Sequence, residues 1–580
     1  MTKKSVGNFI LVLHTHLPYV LHHGQWPHGM EWLYEAASET YIPLLNALNA
    51  LQNEGRRPRL TISMTPVITE QLASETFKKE FVAFLYDEIE RARTDMASFE
   101  KSPTEKKLVP LAEYWLDFYQ NTLKDFTLTY RHDLIGAFRT LQDQGVLDII
   151  TCGATHGYFP LLGTDANIHA QIRMAVVTHE KYFGRKPRGI WLPECAYRPR
   201  YVWTPPVASA LGSEPRLRKG IEEILDANSL EYFIVDSSLV EPGRAVPMYM
   251  GRFENLRKLM MRLASENRPI PKADFLQSVY DVYKTKSSYD APGNPVSIFA
   301  RDMETSMQVW SSEQGYPGGE WYLDFHKKHE QSGHRYWRVT SLEADLGLKA
   351  PYEPQKIQSA IADDAQHFVQ AVRQALTRFK TKHGYEGTLT APFDSELFGH
   401  WWFEGPGFLK TIFELMDDDP AIQTMHCAES LDQNPPEKII AIPEGSWGAG
   451  GNHYVWFNHE VDWMWPFIYN DEAAMRDHVQ RWNNNTDPEW TAIIKQMARE
   501  LFLLESSDWP FLISTQSAID YATERFMEHH TAFEKLARLS EYHCNGSALH
   551  PDDRAWLREI TSQDHIFDDA LIDPNWFLND

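Results

Sequence analysis

The 580 residues carry 56 basic and 80 acidic side chains, a formal net charge of −24. That balance argues against nucleic acid or an anionic membrane as the main partner and leaves a neutral ligand such as a sugar open. The length exceeds one simple core and suits a large catalytic domain with further domains attached.

Cys152, Cys195, Cys427 and Cys544 are scattered with no CxxC pair, the apolar run near the N-terminus breaks at His14, and no later run reaches membrane-spanning length. These features predict a reduced, cytoplasmic setting with no membrane partner. The 19 Trp, 25 Tyr and 30 Phe provide an ample stock of flat apolar platforms.

Short β-prone apolar runs recur along the chain, at 9–13, 60–64, 147–151, 189–192, 232–235, 295–299 and 387–390. Most run into a polar or aromatic group: His14 and His16, His156, Glu194, Asp236, Arg301 with Asp302, and Asp394. Amphipathic helices lie between several of them. Residues 167–183 set Ile168, Ile172, Val176, His179 and Phe183 on one stripe, stopped by Gly184 and Pro187, and 358–382 repeats the pattern up to Gly384. Strand–helix alternation predicts a mainly parallel sheet with functional groups at the strand C-termini, and seven candidate strands favour an irregular barrel over a complete eightfold one. Residues 71–139 predict a helical insertion, 240–294 a turn-rich loop, and the helix-period stretches beyond 407 a C-terminal helical domain.

Two stretches carry carboxylates at strand ends among aromatics. In Trp191-Leu192-Pro193-Glu194-Cys195-Ala196-Tyr197-Arg198-Pro199, Pro193 should stop the ladder and present Glu194, which has Arg198 as a plausible ion-pair partner; Cys195 has no evident role. In Ala391-Pro392-Phe393-Asp394-Ser395-Glu396-Leu397-Phe398-Gly399-His400, Asp394 holds the analogous place. Glycoside hydrolysis needs such a pair, one carboxyl protonated to assist the leaving oxygen and one ionised to attack C1. His14 and His16, two apart on a strand, share one face. They fit either a zinc site completed by His156 and Asp236, or neutral hydrogen-bonders to hydroxyls. Asp508 reads as a helix N-cap, Arg301 as a carboxylate or hydroxyl anchor or a partner of Asp302. The Gly-rich loop at 443–458 lacks GxxxxGK[ST] and GxGxxG, so it reads as close-packed backbone presenting Trp447 and Trp456 rather than a phosphate cradle.

HTHLPYV at 14–20, HGYFPLL at 156–162, WLPECAYRP, FARD with QVWS and GYPGG, APFDSELFGHWWFEGP and EGSWGAGGNHYVWFN together resemble the ordered motifs of glycoside hydrolase family 57, most of all its 1,4-α-glucan branching enzymes. The resemblance runs from about Phe9 to at least Asp508 and implies an α/β fold. That fold is an incomplete (β/α)7 TIM-like barrel over 1–406, with the helical insertion, and a C-terminal α-helical domain over 407–580. It implies Glu194 as nucleophile and Asp394 as general acid/base of a retaining mechanism. It implies that Arg301, Gly318, Trp447 and Asp508 contact glucan, and that Trp310 and Trp456 line the cleft. His14, His16, His156 and His400 become substrate-binding groups, with no metal and no cofactor. The expected partner is an α-1,4-glucan, with no nucleic acid and no membrane; a monomer is the simpler expectation, and an oligomer stays open. A hydrolytic α-amylase or 4-α-glucanotransferase would share these residues; a metal-dependent polysaccharide deacetylase would use the histidines; a non-catalytic glucan-binding protein would keep the tryptophans.

Overall fold

The computed structural model describes residues 5–25, 27–240, 277–288, 290–311, 315–341, 343–482 and 485–578. The chain forms two compact units, each assembled from separated segments. The first comprises Met1–Ile62, Thr69–Ile149 and Asp302–Ser430; the second comprises Ser63–Ile68, Ile150–Arg301 and Leu431–Asp580. The boundary expected at 406/407 falls inside the helix Gly405–Asp417.

All seven expected strands form. β1 (Gly7–Thr15), β2 (Leu60–Met64), β3 (Leu147–Ile150) and β10 (Gly387–Asp394) make one sheet in the order β10-β1-β2-β3, with β11 (Ile422–Thr424) also on β1. β1 is buried at all nine positions, as befits a parallel strand covered on both faces. It runs parallel to β10 from Gly7 opposite Gly387 to His14 opposite Asp394. The ladder passes through Pro392, so β10 is four residues longer than its apolar run suggested.

A second sheet has the order β12-β8-β9-β7-β4, from β4 (Gly189–Ile190), β7 (Tyr232–Val235), β8 (Tyr283–Thr285), β9 (Val296–Ala300) and β12 (Ile439–Ile440). Thr151, directly after β3, bridges in parallel to Ile190 of β4. β4, β7 and β9 are parallel, while β8 joins β9 antiparallel. β8, β12 and the hairpin of β5 (Tyr201–Trp203) with β6 (Arg216–Arg218) were not expected, because two or three residues are too few to display a period of two. Most of the loop expected at 240–294 lies outside the described residues.

Helices follow the predicted stripes. Asp165–Phe183 is capped by Thr164, whose hydroxyl accepts from the Asn167 N–H, and ends at Gly184 with φ 72°. Pro354–His383 buries Ile361, Phe368, Val372 and Phe379, sets Phe368 edge-on to Phe9 of β1 at 6.0 Å, and ends at Gly384 with φ 83°. Those positive φ values are what glycine at the helix C-terminus accommodates. The insertion is helical over Glu75–Lys101, Val109–Lys124 and Leu134–Asp143. Beyond β12 the second unit continues with Met464–Trp482, Pro488–Leu504, Asp508–Ser514, Ile519–Cys544 and Pro551–Gln563. No helix among the described residues is long and apolar enough to cross a membrane.

Candidate active site

In the second unit, β4 gives way to a single tight turn, Pro193–Cys195, that carries Glu194. Glu194 has φ 61° and Cys195 φ 47°, two successive side-chain-bearing residues in the left-handed region. Each such residue costs about 1–3 kcal/mol and persists only where its surroundings hold it. The Gly-rich loop does the holding. Tyr197 and Gly445 exchange both backbone hydrogen bonds, at 2.8 and 3.1 Å, and the Trp447 N–H donates to the Glu194 carbonyl at 3.1 Å.

The same loop reaches the carboxylate. Trp447 Nε1 donates to Glu194 Oε2 at 2.7 Å, and the Ser507 hydroxyl donates to Oε1 at 3.4 Å. Ser507 Oγ lies 2.7 Å from His156 Nδ1, which is itself 3.9 Å from Oε1. Both oxygens of Glu194 act as acceptors, the arrangement that suits a carboxylate rather than an acid. His156, another left-handed residue with φ 62°, also receives the Ser507 N–H on its carbonyl at 3.0 Å.

The loop's glycines have a packing explanation. A Cβ on Gly445 would lie 2.7 Å from the Gly451 carbonyl oxygen, and one on Gly448 would lie 2.7 Å from the Trp456 ring. Trp456 is 1% exposed and stacks on Tyr158 at 4.5 Å. The expectation that it lines a cleft is therefore corrected: the loop folds over the indole at Gly448 and leaves it 1% exposed, with no face open to a ligand.

Arg301 sits at the end of β9, its Nη2 2.8 Å from Asp236 Oδ2 and its guanidinium 5.9 Å from the Trp447 ring centre. Asp236 also caps the following turn through the Ser238 N–H at 2.9 Å, which commits it to structural partners. Asp508 opens the helix Asp508–Ser514 one residue inside its cap, Ser507, and accepts from the Ser506 hydroxyl at 2.5 Å.

The suggested Arg198–Glu194 pair gives way to a different one. Arg198 is fully buried, with Nη2 3.2 Å from Asp165 Oδ1, and Arg218 Nε donates to the same oxygen at 2.6 Å. Burial and the neighbouring charge of Arg218 bring Arg198 down to about 10. Burial works against the Asp165 charge, yet Arg218 and Arg198 hold its carboxyl below the ordinary range. A depressed folded pKa means that this stabilisation is fully present above the ordinary Asp value and is lost as pH falls through the folded one. Asp165→Ala leaves two buried guanidinium groups without their counter-ion and should cost about 3–5 kcal/mol in denaturant unfolding at pH 7; a loss below about 1 kcal/mol would contradict this account.

In the first unit, Asp394 ends β10 beside His14. The rings of His14 and His16 lie 5.9 Å apart at 25°, on one face as their spacing required. The turn Ser395–Leu397 then places Glu396, which the sequence reading passed over. Glu396 accepts from the Tyr41 hydroxyl at 2.6 Å and the His16 N–H at 3.3 Å, and burial pushes it up to about 7. Its signal was a second carboxylate two residues after the first in an otherwise apolar motif. Trp310 closes the helix Met303–Trp310 with its ring 6.4 Å from Phe393. Gly318 ends a turn whose Tyr316 hydroxyl lies 2.8 Å from His367 Nδ1. His400 stands with Glu39 and Arg335: its Nδ1 is 3.1 Å from Glu39 Oε2, and its carbonyl accepts from Arg335 Nη1 at 3.2 Å.

Within the second unit, Glu500, His529 and Asp564 bring three potential metal-ligand atoms together in the core. His529 is already engaged there by Glu500 at 2.8 Å and Arg525 at 3.0 Å, so the cluster is a buried ion network with its own internal cation.

Comparison with known sequences places this geometry in a family. The pattern described as glycosyl hydrolase family 57 matches residues 10–443. The chain belongs to glycosyl hydrolase family 57. A second pattern, described as the C-terminal part of 1,4-alpha-glucan branching enzymes, matches residues 467–577. A 1,4-alpha-glucan branching enzyme of Thermococcus kodakarensis is 40% identical over 571 residues, covering 98% of this chain and 78% of the relative. Among solved structures, a family 57 branching enzyme from Pyrococcus horikoshii aligns with a TM-score of 0.86 at 38% identity, over 99% of this chain and 97% of the other. An alpha-amylase from Thermotoga maritima aligns with a TM-score of 0.79 at 29% identity, over 99% of both chains. The fold class is thus that of family 57, an incomplete (β/α)7 barrel with a C-terminal helical domain.

Proposed function

We propose that this family 57 chain is a 1,4-α-glucan branching enzyme, a retaining transglycosylase that cleaves an α-1,4 link and moves the released chain to a 6-hydroxyl. The observation that carries the reading is the environment of Glu194. Its carboxylate is held by Trp447 from the Gly-rich loop and by Ser507, and Ser507 lies within the segment that matches the C-terminal part of branching enzymes.

Glu194 attacks the anomeric carbon while Asp394 protonates the departing glucan, leaving a glycosyl-enzyme ester. Asp394, now ionised, takes the proton from an incoming 6-hydroxyl, which displaces Glu194 and completes the branch. Two inversions give net retention of the α configuration. Transfer in place of hydrolysis requires that water be kept from the ester, and an indole packed on the nucleophile serves that end. Arg301, Gly318, Trp310 and Asp508 are assigned to the glucan, with His14, His16 and His156 as hydrogen-bonders to its hydroxyls. The substrate is a glycogen- or starch-like α-1,4-glucan, and the enzyme works as a cytoplasmic monomer in the building of a storage polysaccharide. Residues 1–406 are assigned the two catalytic carboxylates, and the C-terminal part, 407–580, contributes Trp447 and Ser507 beside Glu194.

The likeness to an alpha-amylase makes hydrolysis the competing reading. Incubation with amylose, followed by enzymatic debranching and chain profiling, decides between them. New α-1,6 links are the expected product; reducing ends or new linear chains without them would assign hydrolysis or disproportionation.

A further inference from the structure

The first unit contains a cavity of about 770 Å³ that is lined by neither of the proposed catalytic carboxylates; of the residues expected to bind substrate, His400 stands in its wall. Its walls come from the helix Met30–Ala36 and its continuation Ala37–Tyr41, from two helices of the insertion, Glu75–Lys101 and Val109–Lys124, and from the segment 325–335. The continuation is wound one residue wider than an α-turn, the Ile42 N–H reaching back to the Ala37 carbonyl. Such widened turns re-aim side chains and recur at functional sites; here the turn carries Glu39, which is 6% exposed.

Two chemistries line the space. Tyr34 and Phe84 pair at 5.3 Å on one side; Phe325 and Trp115 stand on another, each about 6 Å from the Arg335 guanidinium. Between the rings the polar groups are pinned in place. Arg335 and His400 both engage Glu39, and Lys328 lies 3.6 Å from Glu35. Glu88 is held by Arg91 at 2.9 Å and His334 at 2.8 Å, and Tyr34 donates to Glu80 at 3.1 Å.

The pairing of these groups selects the ligand class. A bound cation needs several oxygen or nitrogen ligands converging on one point. Among the described residues, no three carboxylates and imidazoles of this cavity converge in that way. An anion would meet a wall rich in carboxylates. A neutral polyhydroxylated chain adds no charge to such a wall: its hydroxyls can donate to the carboxylates, and aromatic surfaces stand ready for its apolar faces. The cavity is also joined to the acid/base strand. Six residues after Asp394 the chain reaches His400, whose N–H donates to Thr40 at 3.1 Å; at the neighbouring Gly399 a Cβ would lie 2.0 Å from the Glu39 carbonyl oxygen.

We infer that this cavity is a second α-glucan-binding site, built by the insertion, which holds a remote segment of a long chain. The choice of glucan over other neutral polyols rests on the function proposed above. The test uses the full chain carrying Glu194→Gln, titrated calorimetrically with maltohexaose. Two sites per chain are expected. Adding Ala83→Trp, which fills the cavity from an exposed helix position, or Phe84→Ala, which removes a half-buried ring, should leave one. In the otherwise wild-type enzyme either change should raise the amylose KM about fivefold to tenfold while kcat falls less than about twofold. A single site in Glu194→Gln, or two sites that survive both changes, overturns the inference while branching by the wild type stands. Absence of any maltohexaose binding together with absence of branching overturns the functional reading itself.

Discussion

Glu194→Gln removes all glycosyl transfer, with kcat falling by ~10⁴-fold or more, the scale seen when a covalent nucleophile is deleted. Gln keeps the shape: its carbonyl oxygen accepts from the donor-only Trp447 indole and its amide N–H faces the Ser507 hydroxyl, which can turn to accept, so the turn keeps its fold and the loss is chemical. The turn matters to the argument because Glu194 and Cys195 both hold φ in the left-handed region, a conformation that the Tyr197–Gly445 bridge maintains. The stereochemistry of rescue gives a sharper measurement. Glu194→Ala leaves room for azide on the face where the carboxylate stood. A single displacement by azide inverts the centre, so the product should be a β-glycosyl azide, identified by its anomeric proton coupling. An α-azide from this variant, or residual branching by Glu194→Gln above about 1% of wild type, would remove Glu194 from the nucleophile role.

The parts of this molecule that were legible in its sequence are those whose physics is local. All seven expected strands formed because strands buried on both faces are continuous apolar runs, as in 9–13 and 232–235. Helix ends were readable where glycine accepts a positive φ, at Gly184 and Gly384. What was not legible depends on partners far away in the chain. Arg198 stands four residues from Glu194, yet its carboxylate is Asp165, 33 residues back, and nothing in the local pattern separates the two choices. Trp447 and Trp456 are equivalent as letters in one Gly-rich loop; only the fold puts one indole on a carboxylate and the other at 1% exposure beneath Gly448. Glu396 was hidden behind Asp394 because a carboxylate's burial cannot be read from a turn. The cavity of the first unit was invisible for the same reason: Glu39 and Arg335, which it brings together, are 296 residues apart.

Asp394→Ala should give the complementary pattern, and this contrast tests the paired roles more severely than loss of activity alone. With the acid gone, departure of an unactivated glucan slows by about 10²–10⁴-fold, the usual contribution of a positioned proton donor. A donor with a leaving group that needs no protonation, such as a dinitrophenyl or fluoride leaving group, bypasses that step. Glu194 is intact, so the glycosyl-enzyme still forms and then waits for an acceptor that no base activates. Azide needs no base and should accelerate turnover of such a donor, and the product should now be the α-azide, because two inversions have occurred. The opposite anomers from the two variants would assign nucleophile to Glu194 and acid/base to Asp394 in one experiment. Glu396 is the natural rival, since it lies two residues away and burial pushes its carboxyl up to about 7. Yet it is 4% exposed and accepts from Tyr41 and the His16 N–H, whereas Asp394 stands at the strand end in register with His14. If Glu396→Gln showed the azide rescue and the leaving-group dependence, and Asp394→Ala did not, the acid/base role would pass to Glu396.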